Sequence, residues 1–270
     1  MTDTPEAAPM PGKPSLDVGN IISSTFNLFF KHFPMFFIVV FVPYLLLELV
    51  LNRIVSSAVS AESNDVVGML VATYASLIPF WIVFILVQAV IVRVAISLRL
   101  GQGAQLQAAL GAALRGFFPI LLLGIAAGIA MGIGFLFFIL PGLYIMAMFY
   151  VMVPSIVFEN AGFGGISRSV SLTDGYRWAI LGVVIILGVI IWIITAVVGA
   201  VLVGILFTQQ DTLANMAAQP FAYPWWYGVV NAVISAATTP ISLISVAMIY
   251  ARLKEIKEGG QVGDLLKVFE

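Results

Sequence analysis

One short polar stretch interrupts an otherwise apolar chain. Residues 154–178 read PSIVFENAGFGGISRSVSLTDGYRW and carry Glu159, Arg168, Asp174 and Arg177 beside the hydroxyls of Ser167, Ser169, Ser171 and Thr173. Guanidinium groups next to hydroxyls are the donors that hold a phosphate: arginine makes paired, charge-assisted hydrogen bonds to two oxygens, and serine adds another. Arg168, Ser169 and Arg177 are therefore the candidate lipid-headgroup site. The same charges admit a second arrangement, in which Arg168 pairs with Glu159 and Arg177 with Asp174. Two basic residues are fewer than the about four to eight that mark anionic-lipid segments.

Other chemistries find few residues to work with. The chain has no cysteine, so it offers no thiolate nucleophile, disulfide or iron–sulfur ligand set, and its one histidine, His32, makes no multi-histidine metal site. HExxH, GxSxG and Walker-type phosphate loops are all missing, and no pair of acids lies within an apolar run to divide acid and base roles. The expectation is a non-enzymatic chain with no catalytic residue, no cofactor and no metal.

The elements that position the polar stretch follow from composition. Of 270 residues, 12 are basic and 13 acidic, where a soluble chain of this length would carry roughly 65 to 70 charges. The chain is 61% hydrophobic with a mean hydropathy of +1.11, too little charge to cover a water-facing surface. Bilayer is the solvent that this composition suits. A net charge of -1 gives no general attraction to nucleic acid.

Apolar runs at 34–52, 68–97, 117–139, 142–158, 178–207 and 225–251 each satisfy their backbone in lipid only as a helix. The fold class is thus an all-α polytopic membrane protein with six transmembrane helices. Residues 1–14, rich in proline and acid, read as a disordered tail; 15–258 form one membrane domain; 259–270 form a C-terminal tail. Every basic residue except Arg53 falls on the side of the N-terminal tail, which makes both termini cytoplasmic. Phe221, Tyr223, Trp225, Trp226 and Tyr227 suit an outer interfacial anchor.

The spans also suggest a threefold pattern, with pseudo-repeats near 15–100, 101–161 and 162–258. Each begins with a short amphipathic segment: Val18, Ile22, Phe26, Phe29 and Phe33; then Leu106, Leu110, Leu114 and Phe117; then Phe163, Ile166 and Val170. The expectation is three hairpins, each preceded by a short interfacial helix that ends near Phe33, Phe118 or Arg177. Gly124, Gly128 and Gly132 in the third span, and Ala196, Ala200 and Gly204 in the fifth, recur every fourth residue. Small residues at that spacing let helices approach closely, and packing within the chain is the expected use.

Around the polar stretch the chain resembles the membrane domain of the glycerophosphoryl diester phosphodiesterase family and the related YciC-like inner-membrane proteins. The resemblance rests on Pro154, Glu159, Gly162, Ile166, Arg168, Ser169, Leu172, Thr173 and Gly175. It implies a membrane domain of a bacterial-type inner membrane. Such domains accompany a soluble catalytic barrel in the phosphodiesterases; no barrel is present here, so no catalytic residue is carried over. The expected function is a lipid-associated scaffold or accessory subunit of a membrane complex, with phospholipid and another membrane protein as partners. The alternative is a transporter or lipid-translocating protein whose cavity lies between the hairpins, lined by Gln88, Asn231 and Ser242.

Overall fold

The structure, a computed structural model, describes residues 14–60, 66–208 and 225–259. The tail through residue 13, the segment from 260 onward, and the connections 61–65 and 209–224 with Phe221 and Tyr223 lie outside the described residues. Within them every regular element is helical: α1 Val18–Lys31, α2 Phe33–Ser60, α3 Val66–Arg99, α4 Leu106–Phe137, α5 Ile139–Phe149, α6 Met152–Val157, a 3₁₀ turn Gly162–Gly164, α7 Gly165–Thr173, α8 Arg177–Thr208 and α9 Trp225–Glu258. Six segments are long and apolar enough to cross a membrane: Phe33–Leu51, Leu77–Arg99, Leu106–Phe137, Ile139–Val157, Arg177–Val201 and Trp226–Glu258. The last of these ends in the charged sequence RLKEIKE. Its helix of 34 residues is about 51 Å long, longer than a hydrocarbon core of about 30 Å.

α9 is the central helix. Two thirds of its most apolar window (67%) is buried within the chain, against 17% for α4, which faces outward along most of its length. α9 packs mainly against α2 and α3 and only lightly against α8, its neighbour in sequence, whereas α4 and α5 pack closely. Among the described residues the last pair of spans therefore packs less closely than the α2–α3 and α4–α5 pairs. A single core runs from Leu16 to Leu253 through all of them.

Two of the three expected preceding helices are separate elements. Asp17 caps α1 by accepting the Asn20 N–H at 3.1 Å, and the helix buries Ile21, Thr25 and Phe29. It ends at His32, after which α2 begins. α7 is the second, set apart from α8 by residues 174–176. The third merges with its span: α4 runs unbroken from Leu106 to Phe137 through Pro119. A proline inside a helix removes one hydrogen bond and crowds the preceding turn. Here tertiary packing holds the helix through it, because Gly116 lies against Ile156 and Val157 and the face formed by Ala109, Ala112, Ala113 and Ile120 is buried. Leu106, Leu110 and Leu114 face outward, away from that small-residue face.

The α4–α5 turn is apolar throughout, with no polar side chain between Ile133 and Leu143. Its backbone stays bonded: the Phe138 N–H donates to the Gly134 carbonyl and the Gly142 N–H to the Phe138 carbonyl. The helices meet at a glycine contact, where a Cβ on Gly134 would stand 3.0 Å from the Gly142 Cα. The expected glycine row is a different face. A Cβ built on Gly124, Gly128 or Gly132 meets no heavy atom of the described residues within 4 Å, so the row packs against none of the described helices. Ile120, Ala127 and Gly134, seven residues apart, define the inward face, and Gly128 lies about 100° round from Ala127. Ala196, Ala200 and Gly204 are likewise exposed.

Candidate functional site

The polar stretch folds as a reversal between α6 and α7. Asn160 takes φ 55° and Gly162 φ 52°, a left-handed conformation that asparagine tolerates and glycine adopts without a Cβ penalty. The Ala161 N–H donates to the Ser155 carbonyl and closes the turn. This reversal aims Glu159 inward at α9 while α7 folds back over it.

Glu159 becomes the centre of a cluster drawn from distant parts of the chain. Its carboxylate accepts from Arg168 Nε at 2.6 Å and from a terminal Arg168 nitrogen at 3.0 Å. On the other side, the Tyr250 hydroxyl donates at 2.5 Å and Lys254 Nζ at 2.8 Å. Tyr250, Lys254 and Glu258 stand on one face of α9, four residues apart. Glu258 accepts from Arg168 as well and lies 3.8 Å from Lys254. Two acids and two bases thus neutralise one another. Burial by itself would raise the Glu159 pKa, but the hydrogen bonds from Arg168, Lys254 and Tyr250 outweigh it and hold it at about 2. The hydrogen bond to Glu159 raises the Arg168 pKa further above its ordinary value, against the opposing effect of burial.

The other candidates are engaged too. Ser169 is fully buried and donates to the Met148 carbonyl at 2.7 Å; the last turn of α5 leaves such carbonyls without a helical partner. Thr173 donates to the Ser169 carbonyl at 2.9 Å. The Arg177 guanidinium lies 4.8 Å from the centre of the Tyr144 ring, donates to the hydroxyl of that tyrosine, and sits 3.7 Å from Asp174. Arg168, Ser169 and Arg177 are thus close in sequence but do not converge on one open site, and the hydroxyl of Ser169 faces the interior. The pairing of Arg168 with Glu159 and of Arg177 with Asp174 is the arrangement that the fold adopts.

Sequence spacing did not point to Tyr250, Lys254 or Glu258. The only local signal is their four-residue period at the end of an apolar helix. Arg93 is a further buried-end contact, donating to the Val157 carbonyl at 2.5 Å, the last residue of α6, where a cation suits the helix dipole.

A second charged group joins the N-terminal segment to the same end of the bundle. Glu255 accepts from Arg99 at 2.8 Å and from Arg252 at 3.2 Å. Arg252 also reaches the Ser15 carbonyl at 3.4 Å, and the Tyr176 hydroxyl donates to the Pro14 carbonyl at 2.9 Å. The first described residues and the end of α9 therefore meet at one end of the bundle. Compared with known proteins, the chain matches no family model, no curated protein and no solved structure.

Proposed function

We propose that this multi-pass chain is a non-enzymatic protein of a bacterial-type inner membrane, associated with phospholipid and acting as a scaffold or accessory subunit of a membrane complex. The observation that carries this reading is the self-neutralised cluster at Glu159. Its four charges are spent on one another and tie the α6–α7 reversal to the central helix, as suits a rigid platform. The concentration of basic residues at that end supports a cytoplasmic placement for it and for both termini. The resemblance of residues 154–175 to membrane domains that accompany lipid-phosphodiester enzymes suits the same role.

Gentle extraction of the tagged chain from its native membrane tests the reading. Enriched phospholipid together with a membrane protein in fixed proportion supports it. A chain that always purifies alone, without either, counts against it.

A further inference from the structure

α1 carries two rows of residues. Ile21, Thr25 and Phe29 turn inward, while Asn20, Ser24, Asn27 and Lys31 follow at steps of four, three and four, the spacing of one helix face. That polar row borders a groove between α1 and the ends of α3 and α9. One lobe has a volume of about 160 Å³ and the other about 320 Å³; Ser24 and Arg99 line both, which makes them parts of one groove. The larger lobe is an open depression lined by Ser24, Asn27, Leu28, Lys31, Arg99 and Met248, with no acid in its lining.

The charge balance differs from that at Glu159. Glu255 is one carboxylate shared by two guanidinium groups, Arg99 and Arg252, and Asp17 in the smaller lobe offsets the second of them, so Lys31 is the positive charge left over. Lys31 and Asn27 are exposed, and neither side chain has a hydrogen-bond or ion-pair partner among the described residues. Ser24 is already oriented, donating to Asn20 at 3.0 Å. Leu28 and Met248 also line this lobe, and Arg99 lies against Met248, donating to its carbonyl at 3.3 Å.

We propose that this groove is a phosphate-binding site, in which Lys31 holds the anion beside the Arg99 guanidinium, Asn27 donates a neutral hydrogen bond, and Leu28 receives the apolar part of the ligand. A phospholipid headgroup and a soluble phosphate ester share that chemistry. The proposal deepens the lipid-associated reading above by naming where the lipid would be held, at residues other than Arg168, Ser169 and Arg177.

The test uses the full chain in detergent, with native mass spectrometry to count bound molecules and a melting curve to monitor folding. The lipid probes are phosphatidylglycerol and phosphatidylcholine; the soluble probes are inorganic phosphate and glycerol 3-phosphate. Lys31→Gln is expected to weaken phosphatidylglycerol binding about fivefold, and Lys31→Glu about twenty-five-fold, at the usual electrostatic contribution of one basic residue. Lys31→Arg should bind as the parent does. Asn27→Leu should weaken binding with unaltered melting, a second readout should Lys31→Glu fold poorly. Selective phosphatidylglycerol binding that Lys31→Glu and Asn27→Leu leave unchanged overturns the site while sparing the lipid-associated reading. Lys31-dependent binding of glycerol 3-phosphate without lipid enrichment supports the site and overturns that reading instead. Binding of no phosphate probe overturns the site.

Discussion

Lys254 Nζ lies 2.8 Å from Glu159 Oε1, across 95 residues of sequence. The lysine side chain is only 8% exposed and the carboxylate 16%, so both charges are compensated within the cluster rather than by water. Removing Glu159 leaves Lys254 and Arg168 to share Glu258 alone, and an undercompensated buried charge costs roughly 3 kcal/mol. Glu159→Gln should lower stability by about that amount in a denaturant titration. The double variant Glu159→Gln, Lys254→Met should be less unstable than the sum of the two single changes; strict additivity would show that the two groups are uncoupled.

The same carboxylate sets an acid limit. Its pKa in the folded chain is about 2, below an ordinary value of 4.5. A depressed pKa contributes stability that is present above the unfolded value and is lost as pH falls toward the folded one. The melting temperature should therefore decline between about pH 4.5 and 2. In Glu159→Gln that part of the decline should disappear. An identical acid profile in the two proteins would remove Glu159 as its source.

Two glycines should respond oppositely to substitution. A Cβ on Gly165 would stand 2.5 Å from the Ile156 Cγ1, within the buried α6–α7 contact. Gly165→Ala should cost about 1 to 3 kcal/mol, with partial rescue by Ile156→Val. Gly128→Leu, which meets open space, should leave the melting temperature of the monomer unchanged. Equal effects at the two positions would contradict the packing described.

Much of this architecture is legible in sequence because hydrocarbon leaves a chain few choices. Apolar runs became helices at nearly the expected boundaries, as with Phe33–Leu51 for 34–52. The Glu159 and Arg168 pairing was one of two local options, separated by nine residues. What sequence does not carry is the path of α9. Tyr250 and Lys254 reach Glu159 only because α9 lies at the centre of the bundle, and no local pattern specifies that. Pro119 misled for a similar reason: a proline signals a break locally, but the contacts of Gly116 with α6 decide whether the helix continues. The glycine row misled because spacing by four defines a stripe without saying which way it faces.

Membrane placement of the α4–α5 turn has its own test. The chain has no native cysteine, so single introduced thiols report cleanly. Ser15→Cys and Ser171→Cys, exposed at the same end of the bundle, should react with a membrane-impermeant maleimide from the same side. Phe138→Cys, in a turn without polar side chains, should resist the reagent until detergent is added. Labelling of Ser15→Cys and Ser171→Cys from opposite sides would break the common end, and ready labelling at 138 would place the turn in water.

The central claim is that the chain is a membrane scaffold that holds phospholipid. The most direct measurement excises it from its native membrane in polymer-bounded discs, exchanges the surrounding lipid, and compares the retained phospholipid with the bulk membrane by mass spectrometry. The account predicts anionic phospholipid enriched over bulk and retained through exchange in fixed proportion to the chain. Lipid of bulk composition that is lost completely on exchange would contradict it.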